Sequence, residues 1–247
     1  MTDEPRAEDI HERLARLERL VARDVGRAVD PAWRRHTRGE QRWPSAVAIL
    51  AMIGLQAFLP ERLSAGPRWL LPLIEVAIIV VLMLANPGRL ERSTPRLRRL
   101  SLVLITVASL GNTWSVLSLV LDIVTGRGTG SAAQLLASGG NVWLINMLTF
   151  AVWYWEFDRG GPIERALGSH PNPDFLFPQM STPGMAPKEW EPEFVDYLYL
   201  AFTNSTAFSP TDTMPLSRWA KGAMLLQSAI SLVTAALVVA KAVNALH

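Results

Sequence analysis

Five apolar runs constrain this chain more than any other feature: Pro44 to Leu59, Trp69 to Ala85, Leu100 to Val124, Asn141 to Phe157 and Ala220 to Val243. Most approach the ~20 residues that cross ~30 Å of hydrocarbon as helix. In lipid every backbone polar group must be satisfied within the spanning structure, which leaves helices or closed barrels. The runs are continuous, whereas a barrel shows segments of about ten residues alternating in and out, so strands are not expected. The reading is an all-α, polytopic transmembrane bundle whose first partner is the lipid bilayer.

Charge is concentrated outside the runs, and its distribution bears on orientation. The first 42 residues hold ten arginines, and the loop Asn86 to Arg99 holds five, Arg89, Arg92, Arg96, Arg98 and Arg99. Both should face the cytoplasm by the positive-inside rule, with two crossings between them. The segment Thr125 to Gly140 has only Arg127 and should lie outside. No short cleavable apolar segment opens the chain, so the first run is expected to act as an uncleaved insertion signal. Arginine outnumbers lysine by 21 to 3, which suggests a GC-rich bacterial genome and hence the bacterial plasma (inner) membrane.

Residues 8 to 29 read as an amphipathic helix, with Ile10, Leu14, Leu17, Val21, Val25 and Ala28 at three- and four-residue spacing and Pro31 as its stop. Either it docks as a solvated or membrane-surface helix, or it is a short coiled coil joining subunits. Trp43, Trp69 and the cluster Trp153, Tyr154, Trp155 read as rings anchored at headgroup depth. Glu156, Asp158 and Arg159, just beyond, are expected to snorkel to the interface. Asn112, Thr113 and Ser115 in the third run, and Asn141 and Asn146 in the fourth, fit bonds between helices, with a permeation or binding role as the alternative. From Asp158 to Phe194 there are seven prolines; proline forbids regular ladders, so irregular structure is expected, packed down by Phe175, Leu176, Phe177 and Trp190.

Enzyme chemistry finds little support. His11, His36, His170 and His247 are scattered without a metal-ligand partner, and no phosphate loop, nucleophile elbow or dinucleotide fingerprint is present. The absence of cysteine excludes disulfides and thiol catalysis. No catalytic residue, metal or cofactor is expected. Nucleic acid is not an expected partner either, since nine acids nearly match the arginines of the N-terminal segment.

The C-terminal unit holds the most chemistry. From Phe194 to Thr206 the chain has about thirteen residues, with Asp196 at one end and Asn204, Ser205 and Thr206 at the other. That is short and polar for a lipid-facing span, and a re-entrant half-helix before the last span is the simpler account. Tyr197 to Pro215 resembles the pore helix and filter of potassium-type channels, keeping Tyr197, Tyr199, Thr203, Thr206 and the tail Asp212-Thr213-Met214-Pro215. The filter position reads Ala207-Phe208-Ser209-Pro210-Thr211, with both of that family's glycines replaced. Those glycines let successive carbonyls face the ion, so potassium selectivity of the usual kind is not implied. More widely, WYWEFDRGGP and YLAFTNSTAFSPTD resemble segments shared by uncharacterised actinobacterial integral membrane proteins.

The resemblance implies a constriction built from Thr203, Ser205, Thr206, Ser209, Thr211 and Asp212, with Asp196 or Asp212 drawing a monovalent cation to a mouth. The same hydroxyls are also good capping, turn and interhelical bonding groups. The expected organisation is a cytoplasmic amphipathic helix and basic arm over 1–42, four transmembrane helices over 43–157, a Pro-rich loop over 158–194, and the pore-loop-like segment with the final helix over 195–247. One such loop cannot surround a path alone, so a homo-oligomer is implied. Four crossings return the chain to the cytoplasm, so the loop would enter from inside, opposite to potassium-type loops. A full crossing there would instead give six spans with both termini inside. The alternative function is a non-conducting scaffold or accessory protein acting through the N-terminal helix or the Pro-rich loop.

Overall fold

The computed structural model describes residues 32–85, 94–127, 131–170, 172–182, 186–187, 189–206 and 212–244. The amphipathic helix expected over 8–29, and Ser209 and Thr211, lie outside these residues. Four helices make up the first half. They are α1 (Trp43–Ala57), α2 (Leu70–Ala85), α3 (Pro95–Val124) and α4 (Ala132–Phe157). Then come α5 (Pro162–Leu167), a strand β1 (Phe175–Leu176), α6 (Pro178–Ser181), α7 (Phe194–Thr206), a strand β2 (Met214–Pro215) and α8 (Arg218–Asn244). The bundle is mostly helical, and three helices, α3, α4 and α8, are long and apolar enough to cross a membrane. At 15 and 16 residues, α1 and α2 are apolar but shorter.

Local chemistry explains the boundaries. Thr94 caps α3 by accepting from the Leu97 N–H, with Pro95 pre-set in its first turn. At α4, Ser131 and Gln134 form a reciprocal capping box. The helix therefore starts at Ala132, nine residues before the apolar run that announced it, and the segment expected as loop up to Gly140 is helical from there. Gly139 sits inside α4 because α8 comes so close: a Cβ there would lie 2.5 Å from a Val238 methyl. In lipid, where neighbouring chains are as apolar as leucine, such small-residue contacts are what draw helices together.

Contacts at the helix ends give the bundle two distinct poles. The Arg42 guanidinium donates to the Leu82 carbonyl at 2.7 Å, joining the start of α1 to the finish of α2. Arg98 meets Glu156 at 2.6 Å, joining the start of α3 to the finish of α4. The same pole holds the first N–H of α7, donated by Phe194 to Glu40, and the first turn of α8, where Trp219 donates to Asp174. At the other pole Asn141 donates to the Leu55 carbonyl and Arg62 faces Asp122. Arg34, Arg35, Arg38, Arg42, Arg96, Arg98 and Arg99 belong to the first pole, which is therefore called basic.

The direction of α7 follows from its neighbours. Tyr197 and Trp219 both pack on the Phe175 ring, and seven residues further on Asn204 meets Gln227, eight beyond Trp219. So α7 and α8 run the same way from the basic pole, and α7 stops about halfway along its partner. By Met214 the chain is back at that pole, where β2 pairs antiparallel with β1. This two-residue ladder, with α5 and α6, corrects the expectation of irregular structure throughout 158–194. Pro215 can sit in it because so short a ladder asks little of its missing N–H.

Candidate functional site

At its inner end α7 is fastened by a polar seam. Gln227, fully buried on α8, accepts from Tyr154 Oη at 2.6 Å and Asn204 Nδ2 at 2.7 Å, and donates to the Ala201 carbonyl at 2.9 Å and Ser205 Oγ at 2.7 Å. Both lone pairs and both protons of one amide are thereby used. Asn204 also donates to the Met224 carbonyl, and Ser228 donates to Asn204. One turn along α8 the seam continues, with Asn146 accepting from Asn112 at 2.9 Å and donating to Ser231 at 3.1 Å. Among the described residues the buried Asn112 Oδ1 and Thr234 Oγ1 have no hydrogen-bond partner. The α8 polar residues Gln227, Ser231 and Thr234 lie at i, i+4 and i+7, one helical face.

The other end of α7 is planted in buried charge. Asp158 accepts from Tyr197 Oη at 2.5 Å and from the Asp174 N–H at 2.8 Å, and Asp174 accepts from the Arg159 N–H and from Trp219. Arg165 donates to the carbonyls of Trp155 and Asp158, faces Glu40 at 3.5 Å and lies 4.9 Å from the Tyr197 ring centroid. Glu40 binds Trp155 Nε1 through one oxygen and the Phe194 N–H through the other, an acid placed where the α7 dipole is positive. Burial pushes the Glu40 carboxyl up to about 7, against the lowering pull of Arg165, Trp155 and the Phe194 N–H.

This geometry revises the reading of WYWEFDRGGP. Tyr154 and Trp155 are buried rather than anchored at headgroup depth, and Glu156, Asp158 and Arg159 are buried and paired rather than snorkelling. Trp43 and Trp69 are more than half exposed, as anchors are. The turn after α4 takes positive φ at Arg159 (50°), Gly160 (82°) and Gly161 (104°). The left-handed conformation costs Arg159 roughly 1–2 kcal/mol; its bonds to Trp33 and Asp174 hold it there. A Cβ on Gly161 would lie 2.3 Å from Arg98 Nη1.

Five of the residues expected at a constriction or its mouth are described: Asp196, Thr203, Ser205, Thr206 and Asp212. Thr203 donates to the carbonyls of Tyr199 and Leu200, and Thr206 to that of Thr203, so both hydroxyls bond their own helix. Ser205 is buried against Gln227. Asp196 reaches back to the Glu193 N–H at the first turn of α7, and Asp212 is exposed on the returning segment. The sequence marks Tyr154 as an anchor and does not single out Gln227 or Ser231. Nor does it single out Glu75, a fully buried acid on α2 that accepts from Gln56 at 3.2 Å. Lone polar side chains inside apolar runs were the available signal. Among the described residues no group of three or more His, Asp or Glu is arranged to hold a metal.

The class these observations define is a mostly helical protein with three helices long and apolar enough to span a membrane and a short helix held beside the last of them. No known family, curated protein or solved structure matches the chain.

Proposed function

We propose that the chain is the subunit of a homo-oligomeric, ion-conducting membrane assembly, in which α7 and residues 207–212 form a re-entrant pore loop with a non-standard filter. The observation that carries this reading is the shared direction of α7 and α8: both start at the basic pole, and α7 stops halfway. In a bilayer, the last carbonyls of a helix that stops at that depth need protein to cover them or a water-filled path beside them. Neighbouring subunits would provide that cover. The basic pole would face the cytoplasm of a bacterial inner membrane by the positive-inside rule, α1 and α2 would cross with α3, α4 and α8, and the C-terminus would lie on the other side. The permeant species would be a monovalent cation.

A second reading is favoured by a specific observation: Thr203, Ser205 and Thr206 all have their hydroxyls bonded within the protomer. On that reading the half-helix is a structural wedge in a non-conducting accessory protein. Cation flux into proteoliposomes separates the two. The pore reading expects flux above empty liposomes, lowered several-fold by Asp212→Asn and much less by Thr206→Val, whose hydroxyl is already used. Folded, inserted protein without flux overturns it. The accessory reading then expects removal of residues 1–31 to abolish a partner interaction while Glu40 and its contacts are kept.

A further inference from the structure

We propose that the cleft between α1, α2 and α3 at the basic pole binds an anionic phospholipid, with its phosphate at Arg42 and Arg98 and one acyl chain in the cleft. The proposal rests on the membrane reading and not on conduction. The cleft has a volume of about 140 Å³ and is open at one side. Its wall includes Ile49, Ile79, Leu104 and Ile105 and, from α4, Val152, all buried; the polar groups beside them, Ser45 and Trp155, donate to the Arg42 carbonyl and to Glu40. An aliphatic cavity of ~150 Å³ holds a benzene-sized group, so this one takes about six carbons of a chain whose remainder lies on the outer surface of the bundle.

The charged groups gather toward the basic pole. Arg42, Arg98 and Ser101 stand there, and behind them is the buried Glu156. Arg98 meets Glu156 at 2.6 Å, and the same carboxylate attracts Arg42. Two guanidiniums thus share one carboxylate, and Arg96 and Arg99 flank them on α3, while Glu164 is the remaining acid at the rim. The excess is positive, at the end of the bundle where headgroups would lie. A guanidinium offers five donors in a planar fork suited to a phosphate, and basic pockets between spanning helices on the cytoplasmic side hold anionic headgroups.

The test uses the full chain in a neutral detergent, with retention of phosphatidylglycerol and phosphatidylcholine compared by native mass spectrometry. Phosphatidylglycerol should be retained preferentially. Arg42→Gln should weaken its retention about fivefold and leave phosphatidylcholine unchanged, as the loss of ~1 kcal/mol per basic residue implies. Ser101→Phe, which fills the cleft and keeps every charge, should weaken retention of both, with thermal unfolding showing that each variant is folded. Equal retention of the two lipids by the parent protein overturns the headgroup assignment. Undiminished phosphatidylglycerol on Ser101→Phe overturns the cleft, and displacement of the lipid by glycerol phosphate at equal concentration assigns the site to a free anion instead.

Discussion

The α1–α2 hairpin and the α4–α7–α8 unit are built in opposite ways. The hairpin is two short apolar helices joined by Arg42 at the basic pole and, inside, by Gln56 to Glu75, in which the second oxygen of Glu75 and Oε1 of Gln56 have no hydrogen-bond partner among the described residues. In the other unit Gln227 makes four bonds, and the charges at the base of α7 are held by carbonyls, ring N–H groups and each other. Lipid does not push helices together as water does, so packing and polar bonds set how firmly each piece is held. At 13 residues α7 is shorter than either helix of the hairpin, and the dense bonding holds it to its neighbours at both of its ends.

The largest expected effect concerns the base of α7. Glu40 has a folded pKa of about 7 against about 4.5 when unfolded. Below pH 4.5 it is neutral in both states; between 4.5 and 7 the unfolded chain gives up its proton first, so stability falls as pH rises and the loss is complete above 7. The loss amounts to at most ~3 kcal/mol. Thermal unfolding in detergent should show this slope, Glu40→Gln should make it shallower, and hydrogen exchange should place the part that this substitution removes in α7 rather than α2. An equal response in both regions would break the contrast.

Next comes Gln227→Leu. With interhelical bonds in membrane proteins averaging ~0.6 kcal/mol each, removing four should cost about 2 kcal/mol and expose α7 to exchange while α1 and α2 keep their protection. A smaller difference separates two glycines. Gly139→Ala forces a Cβ against Val238 and should cost roughly 1–2 kcal/mol by overpacking. Gly54→Ala on α1, where nothing lies within 4 Å, should be neutral or stabilise by roughly 0.5–1 kcal/mol. Unfolding measured on the pair tests whether close packing is confined to the α4–α8 contact.

Much of the bundle was legible because hydrocarbon demands long apolar runs: the runs ending at Ala85, Val124 and Phe157 stop where α2, α3 and α4 stop. The start of α4 was hidden by two adjacent glycines and a serine, which read as loop until the Ser131 capping box and the approach of Val238 are seen. The half-length of α7 could be read from its thirteen residues, but its fastening could not. Gln227 and Tyr154 are 73 positions apart, and no local spacing links them. Tyr154 and Trp155 were misplaced because aromatic rings beside charges mark an interface in most chains, and here Phe175 packs on the one and Phe194 on the other.

One consequence of the direction of α7 concerns the sign of charge. A helix carries roughly half a positive charge at its start and half a negative one at its end. For α7 the positive end meets Glu40, which neutralises it. The negative end, the last carbonyls before Thr206, points away from the basic pole toward the middle of the bundle. Those carbonyls are not bare: Ser228 donates to that of Asn204 and Thr206 to that of Thr203, so α7 is matched by an acid where it begins and by neutral hydroxyls where it stops inside the bundle.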